Sequence, residues 1–582
     1  MTFRRFHGLA WLSLLFLLFA GCGSVSHDVI QADNRLETSQ SRSEPQRLTA
    51  GGAVALHNLL DAAELPDLER PNFSSDRVDV KAFYQAFADA LPWIEQGHPT
   101  PQALSIIRAL KNAEYEGLRP EDYDGPRWDD RLIQLQRSSA PESVLIGFDV
   151  ALTVCSMRFI SDLHIGRVNP RLFHYDLEIS HTKFDLPEFL KQKLVSSQDI
   201  DAALESAEPP FPLYRRTKAA LKTYLDLARQ DDGALLPVPA STIQPGDSYI
   251  GVPRLASILA RVGDIPDAAR HTDGLYDGDL VSGVKHFQER HGIKPSGLIG
   301  AATLRELNTP LHHRVVQLEL TMERLRWLPH DFDSPPIVVN IPEFRLRAVD
   351  EQYRWVHSMS VVVGKAYGHQ TPVFASQIKS VIFRPYWNVP VSITRAELLP
   401  QVKKNPRYLA DNAYQIVDAS GVVVSEGMVN SEMEGRLHSG ELRVRQKPGP
   451  KNALGLVEFE IPSPYDVYMH STPAPELFSK SRRDFSHGCI RVEDPVALAD
   501  WVLRGEPQWT KDRIEAAMNG ETTFEVKLGR PIPVLILYGT AVVMEDGEVH
   551  FLDDIYRQDA GLARALSAGR ASSAGAEVPA EQ

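Results

Sequence analysis

The sequence contains few cysteines, three in 582 residues. Cys22, Cys155 and Cys489 can each be assigned a separate role, so no disulfide is predicted. A reactive thiol would then stay free even in an oxidising compartment. A zinc site needs three or four ligands at recognisable spacing, and no second cysteine lies near Cys489. We therefore expect neither a metal nor a cofactor. Cys155 stands in the apolar stretch 151–157 and is interpreted as a core residue.

The sequence also lacks an excess of basic residues. It has 62 Lys and Arg against 76 Asp and Glu, a formal net charge of −14, and we find no basic patch. This balance argues against a nucleic-acid partner. With 43% hydrophobic and 24% charged residues the composition is that of a globular protein. Because 582 residues exceed what one hydrophobic core supports, about three domains are expected.

The reactive groups of the chain are concentrated in residues 486–491, Ser-His-Gly-Cys-Ile-Arg, with a second histidine at His470. A cysteine attacks a carbonyl as its thiolate, and a neighbouring imidazole helps by removing the proton or by pairing with the charge. His470 follows a β-favouring run and is predicted to end a strand. Gly488 lets the backbone turn, so that nearby amides can form an oxyanion hole. These features favour a Cys/His nucleophile over a buried structural cysteine.

These residues resemble the signature of the L,D-transpeptidases, the YkuD-type enzymes of bacterial cell walls. That signature is a histidine, an intervening stretch, and then Ser/Thr-His-Gly-Cys; here the stretch is 471–485, fifteen residues. Further segments resemble the large, multidomain, YcbB-like periplasmic branch of the family: 341–345, 363–365, 370–374, 385–390, 445–449 and 481–485. The resemblance extends from about residue 50 to 560, more loosely in the N-terminal third.

The resemblance implies roles for individual residues. Cys489 would be the nucleophile and His470 the base, oriented by the backbone carbonyl of Ser471. The amides of Gly488 and Cys489, with His487 nearby, are the oxyanion-hole candidates. Arg491 would bind a stem carboxylate, or alternatively form a surface salt bridge. Four further residues are predicted to bind substrate, the first two of which could equally be aromatic core residues: Tyr386, Trp387, Arg482 and Ser486.

The reaction implied by the resemblance is peptidoglycan cross-linking. A cysteine thioester formed from a tetrapeptide stem would be resolved by a diaminopimelate amine, giving a 3→3 cross-link between stem peptides on glycan strands. Transfer to water, as in an L,D-carboxypeptidase, or to a protein amine would use the same acyl-enzyme and remains open. A non-catalytic wall-binding lipoprotein would have no use for His470 and Cys489 at this spacing. By the resemblance, carbapenems are expected to form a stable adduct on Cys489 and penicillins to inhibit poorly.

The N-terminus predicts export and anchoring. Arg4 and Arg5 precede an apolar run of twelve residues, 9–20, which is shorter than the roughly 20 that a membrane span needs. The run ends in residues 19–22, Phe-Ala-Gly-Cys, which resemble a lipobox with Cys22 as the lipidated residue; an uncleaved signal anchor is the alternative. Gly23 favours outer-membrane sorting in the periplasm of a Gram-negative cell. Residues 1–21 are thus a predicted signal peptide and 22–50 a flexible tether, and a monomer is expected.

The fold class predicted for the rest is multidomain α+β. Residues 51–245 form a helical scaffold domain, with helices expected at 80–91, from Thr100-Pro101, at 142–163 and at 212–229. Residues 246–312 resemble a three-helix peptidoglycan-binding domain, with helices at 253–262, 280–291 and 301–307, and 313–335 would connect it onward. Short β-branched runs from 336 to 540 predict a mainly antiparallel sandwich or barrel, interrupted by a capping insertion at 391–442. Residues 541–582 form a C-terminal extension, expected to be disordered from 562.

Overall fold

The computed structural model describes residues 44–136, 140–173, 175–177, 184–266, 274–366 and 368–568. The predicted signal peptide, Cys22 and most of the predicted tether lie outside the described residues. The predicted multidomain α+β class is confirmed, with a helical region, a small helical unit and a mainly β region.

The helical region is built around its own apolar core, formed by residues between Leu56 and Ala207. Its elements are α1 (Ala50–Ala62), α2 (Arg77–Ala86), β1 (Ile94–Glu95), β2 (His98–Pro99), α3 (Pro101–Lys111), α4 (Trp128–Leu135), α5 (Glu142–Ile165), α6 (Leu186–Phe189) and α7 (Ile200–Glu205). The strand β3 (Tyr175–Asp176) lies in this part of the sequence but pairs in parallel with residues 373 and 374 of the β region. The start of α3 is as predicted, because the Thr100 side chain caps the amide of Ala103 and proline fills the first helical position. Helix α2 ends earlier than predicted, because Ala88 and Asp89 take left-handed backbone angles.

Helix α5 is long and apolar enough to cross a membrane. However, 83% of its most apolar stretch is buried inside the protein. Cys155 lies on this helix and is fully buried, as predicted for a core cysteine. The apolar surface of α5 is therefore used for packing within the helical region.

Two further helices, α8 (Pro212–Arg229) and α12 (Leu311–Arg326), pack against each other and onto the β region. Helix α8 has the predicted bounds, but its buried residues Tyr214, Leu221 and Tyr224 belong to the core of the β region. The scaffold boundary at 245 stays a prediction, while the packing places the inner face of α8 in the core of the β region.

Between α8 and α12 lies the small helical unit, α9 (Val252–Arg261), α10 (Gly278–Arg290) and α11 (Ala301–Leu307). The predicted helices are present with shifts of one or two residues, and the unit has a separate core. Gly292 follows α10 with φ of +65°, a left-handed conformation that suits glycine after a helix end.

The β region is a single closed sheet with short helices outside it. Its strands and helices are β4 (Ile337–Asn340), β5 (Arg345–Val349), β6 (Trp355–Gly364), β7 (Val373–Phe383), β12 (Val457–Glu460), β13 (Met469–His470), β14 (Asp484–Ser486), β15 (Ile490–Val492), α17 (Pro495–Val502), α18 (Lys511–Asn519) and β16 (Phe524–Leu537). The strands follow the order β12-β13-β15-β6-β5-β4-β16-β7, and β7 also pairs with β12, which closes a barrel. Most pairs are antiparallel, but β13–β15 and β4–β16 are parallel.

The predicted insertion has its own small sheet and core. It comprises β8 (Trp387–Asn388), α13 (Val391–Ile393), α14 (Leu399–Lys404), α15 (Tyr408–Asp411), β9 (Tyr414–Val417), β10 (Val423–Ser425), α16 (Ser431–Ser439) and β11 (Arg443–Gln446). The sheet order is β10-β9-β11-β8, and buried residues from Val389 to Val444 form its core.

The C-terminal extension is more ordered than predicted. After β17 (Ala541–Val543) and β18 (Val549–Phe551), residues expected to be disordered from 562 form part of α19 (Asp559–Ser567). Leu562 is buried in the core of the β region, and the Leu566 carbonyl accepts a hydrogen bond of 3.0 Å from Arg167 in the helical region. The expectation of disorder was therefore wrong for 562–567, while residues after 568 lie outside the described residues.

Candidate active site

Strand pairing brings the predicted nucleophile and base together. In the parallel pair β13–β15, Met469 lies opposite Ile490 and His470 lies opposite Arg491. Met469 and Ile490 are fully buried in the core. Because side chains alternate along a strand, His470, Cys489 and Arg491 are on the opposite face. Cys489, the residue just before β15, therefore lies diagonally across from His470.

His470 is held in one tautomer by the backbone. Its Nδ1 lies 2.5 Å from the carbonyl oxygen of Ser471, as predicted, and a carbonyl can only accept, so Nδ1 carries the proton and Nε2 keeps its lone pair. The imidazole is buried, with only 4% of the residue exposed. Burial, and then the positive charge of Arg491, lowers the pKa of His470 to about 3, against the opposing effect of the Ser471 and Leu454 carbonyls. The ring is neutral at physiological pH.

Cys489 is half-buried at the end of the loop that enters β15. Its Sγ lies 3.8 Å from the carbonyl oxygen of Asp466. Burial raises the pKa of the thiol, while a backbone hydrogen bond at Tyr468 and the charge of Arg491 lower it in part. The resting pair is thus a neutral thiol beside a neutral imidazole.

The turn before Cys489 is fixed by side-chain hydrogen bonds. Ser486 Oγ donates to the carbonyl of Cys489 at 2.6 Å and accepts from the amide of Gly488 at 3.1 Å. Thr371 Oγ1 donates to the carbonyl of Gly488 at 2.7 Å. Gly488 has a φ of +118°, which few other residues adopt.

These contacts bear on two of the predicted roles. Ser486, predicted to contact substrate, is buried, and its hydroxyl is used within the loop. The Gly488 amide, a predicted oxyanion-hole donor, is engaged by Ser486 in this structure. Thr371 was not predicted, because only the fold brings residues 371 and 488 together.

The insertion contacts the nucleophile loop through His487. Its Nε2 lies 2.5 Å from Oε1 of Glu397, which stands in the π-helical turn Thr394–Leu398 between α13 and α14. The His369 ring meets His487 edge to face at 4.7 Å. The insertion therefore reaches the residue two positions before Cys489, where a cap over the site would have to lie.

The other predicted substrate-binding residues lie in different settings. Tyr386 is 40% exposed, and the Arg445 guanidinium lies 4.5 Å above its ring. Trp387 is partly buried and packs against the core of the insertion, the alternative considered for it. Arg482 is exposed and bonds both carboxylate oxygens of Asp484, at 2.7 and 2.9 Å. None of these contacts by itself assigns a role toward substrate.

Comparisons with known proteins agree with this architecture. Three family descriptions match the chain: "Scaffold domain" over residues 78–221, "Putative peptidoglycan binding domain" over 251–307, and "L,D-transpeptidase catalytic domain", the YkuD family, over 335–516. The last spans His470 and Cys489. The chain therefore carries an L,D-transpeptidase catalytic domain together with a peptidoglycan-binding domain, and the resemblance drawn from its motifs is confirmed.

Two curated proteins are similar over part of their length. One is "Putative L,D-transpeptidase" of Haemophilus influenzae, 34% identical over 243 residues, which are 42% of this chain and 48% of that protein. The other is "Metalloendoproteinase 1" of Glycine max, 31% identical over 70 residues, 12% of this chain and 23% of that protein. The chain thus spans about half of the first relative. Among the described residues no group of three or more His, Cys, Asp or Glu side chains is placed to hold a metal ion.

Proposed function

We propose that the protein is a peptidoglycan L,D-transpeptidase that forms 3→3 cross-links from tetrapeptide stems through a thioester on Cys489. The observation that carries the proposal is the pairing of β13 with β15, which puts His470 and Cys489 on one face while the Ser471 carbonyl holds Nδ1 of His470. A nucleophile and a base in this relation are what acyl transfer requires.

Acylation starts from the neutral pair. The thiol has a raised pKa and the imidazole a lowered one, so a preformed thiolate–imidazolium pair is disfavoured. His470 Nε2 instead takes the Sγ proton as sulfur attacks the carbonyl of the third stem residue. The C–N bond to the terminal D-Ala then breaks, and His470 returns the proton to the departing amine. The product is a thioester and free D-Ala.

The oxyanion of the tetrahedral intermediate needs donors near Cys489. The amide of Cys489 and the side chain of His487 are the candidates in this proposal. The Gly488 amide could contribute only after releasing Ser486 Oγ. Glu397 holds His487 from the insertion, and a cap in this position would limit the access of water to the thioester.

The proposed cross-linking is tested with purified disaccharide-tetrapeptide and mass spectrometry. Wild-type protein is expected to release D-Ala and yield a cross-linked dimer, because the thioester is resolved by a diaminopimelate amine. A disaccharide-tripeptide product without dimer would identify an L,D-carboxypeptidase. Unreacted tetrapeptide from folded protein would contradict the proposal and leave a wall-binding role.

Anchoring at the periplasmic face of the outer membrane is a separate part of the proposal, supported by residues 1–23. Lipidation of Cys22 supplies the two or more acyl chains that stable attachment requires. Cys22→Ser is expected to migrate as an uncleaved precursor and to lose label from radioactive palmitate. A chain starting after residue 45 is expected to be soluble and active on purified stems. Wild-type protein that never takes up the label would show a plain anchor or a conventionally cleaved signal.

A further inference from the structure

A third strand places an unassigned acidic side chain beside His470. In the antiparallel pair β12–β13, Glu458 lies directly opposite His470, and Phe459 lies opposite Met469. Phe459 is fully buried in the core, so alternation puts Glu458 on the face that holds His470 and Cys489. Glu458, His470 and Arg491 therefore form one row across β12, β13 and β15.

Among the residues that the structure describes, neither Glu458 nor Arg491 has a charged partner. Glu458 is only 8% exposed, and within the described residues its carboxylate has neither a hydrogen bond nor an ion pair. Within the described residues Arg491 makes no ion pair either, and its buried Nε has no hydrogen-bond partner there. A buried unpaired charge costs stability. Two such groups beside the nucleophile are therefore candidates to bind a charged ligand.

We infer that Glu458 binds the ammonium group of the acceptor and receives its proton, while Arg491 binds the carboxylate next to that ammonium. The acceptor class is then an α-amino acid end, as on the side chain of diaminopimelate, and an amine that lacks a neighbouring carboxylate is a poorer acceptor. This inference rests on the proposed function, since it concerns the second half of that reaction.

The electrostatics of Glu458 suit a proton acceptor. Burial, and then the charge of Glu460, raises the pKa of Glu458 to about 7. A base with a pKa near the working pH exchanges protons most effectively. Glu458 also adds to the raised pKa values of Tyr468 and Cys489, so its carboxylate lies within electrostatic range of the nucleophile.

The acyl transfer to the acceptor proceeds with two proton transfers. The acceptor ammonium gives one proton to the Glu458 carboxylate and becomes a nucleophilic amine. Its nitrogen attacks the thioester carbon, the C–N bond forms, and the C–S bond breaks with the electron pair on Sγ. The second amine proton passes through His470 to the thiolate, which restores the thiol. Glu458 then releases its proton to water.

Glu458→Gln separates the two half-reactions. Acylation, measured as D-Ala release and as thioester mass, is expected to be affected far less than transfer, and in the opposite sense, because the charge of Glu458 adds to the raised pKa of the Cys489 thiol. Transfer to free meso-diaminopimelate is expected to fall by about 10² or more, the range for a lost general base. Hydroxylamine, which is largely unprotonated at neutral pH, is expected to react with the variant thioester as fast as with wild type. Rescue by this nucleophile would not occur if the residue were only structural.

A matched control is Glu460→Gln. Glu460 lies two positions along the same strand, but its carboxylate accepts a hydrogen bond of 2.6 Å from Ser380. Transfer to diaminopimelate by this variant is expected to be retained, with its pH dependence moved to lower pH, because the charge of Glu460 helps to raise the pKa of Glu458. Arg491→Gln offers an independent test, because it should remove the preference for diaminopimelate over an amine without a carboxylate.

Stability of Glu458→Gln is expected to equal or exceed that of wild type at pH 8. The pKa of Glu458 is higher in the folded state than in the unfolded chain, so its contribution to the free energy of unfolding falls as the pH rises to about 7. A neutral glutamine does not titrate and avoids this loss of stability. Equal transfer to diaminopimelate by wild type and Glu458→Gln would overturn the inference. A wild-type protein that forms no thioester would instead contradict the proposed function.

Discussion

Cys489→Ser and Cys489→Ala are expected to abolish cross-linking and to leave the fold intact. The thiol supplies the atom that carries the acyl group, so without it neither the thioester nor the dimer can form. The side chain is half-buried in a loop that Ser486 and Thr371 hold through backbone atoms, so a small replacement leaves those contacts in place. Intact-mass spectrometry after incubation with tetrapeptide or a carbapenem measures the adduct, and circular dichroism measures the fold.

Cys155 provides the matched control for this experiment. It is fully buried on α5, and burial raises the pKa of its thiol far above the ordinary range. Cys155→Ala is therefore expected to keep the adduct, although it leaves a small cavity and lowers stability. Near-wild-type turnover by Cys489→Ala, or loss of the adduct in Cys155→Ala with Cys489 present, would refute the assignment of the nucleophile.

The parts of the fold that could be predicted from sequence are those with local causes. Thr100 with Pro101 started α3 where expected, and β-branched runs marked β4 and β5. The spacing of His470 and Cys489 indicated the reaction class because the histidine, the loop and the cysteine are close in sequence. Each of these signals depends on a few consecutive residues.

What could not be predicted depends on contacts between distant segments. Glu458 and Glu397 reach the site only because β12 pairs with β13 and because the insertion folds back onto His487. No local pattern distinguishes these two glutamates from the other acidic residues of the chain. Ser486 was predicted to bind substrate, but its hydroxyl donates a hydrogen bond to the backbone carbonyl of Cys489 in the same loop. The helix at 559–567 was missed because its polar, alanine-rich sequence is stabilised by burying Leu562 against another part of the chain.

His470→Ala is expected to lower the rate of acylation by about 10² to 10⁴, the usual range for a lost general base. His470 is the imidazole that strand pairing places on the same face as Cys489. His487→Ala is expected to cost less, because His487 is bound to Glu397 and acts, in the proposal, only near the oxyanion. Single-turnover release of D-Ala, followed by rapid quenching, measures both variants.

The pH dependence of wild-type acylation provides an independent check on the role of His470. A base must be unprotonated to act, and the pKa of His470 is about 3, so the imidazole is competent throughout the neutral range. Acylation is therefore expected to show no acid limb near about pH 6.5, the ordinary histidine value, and to rise in alkali as the thiol with its raised pKa ionises. A clear loss of rate centred near that ordinary value would instead contradict the assignment of His470 as the base, and the larger defect should then appear in His487→Ala.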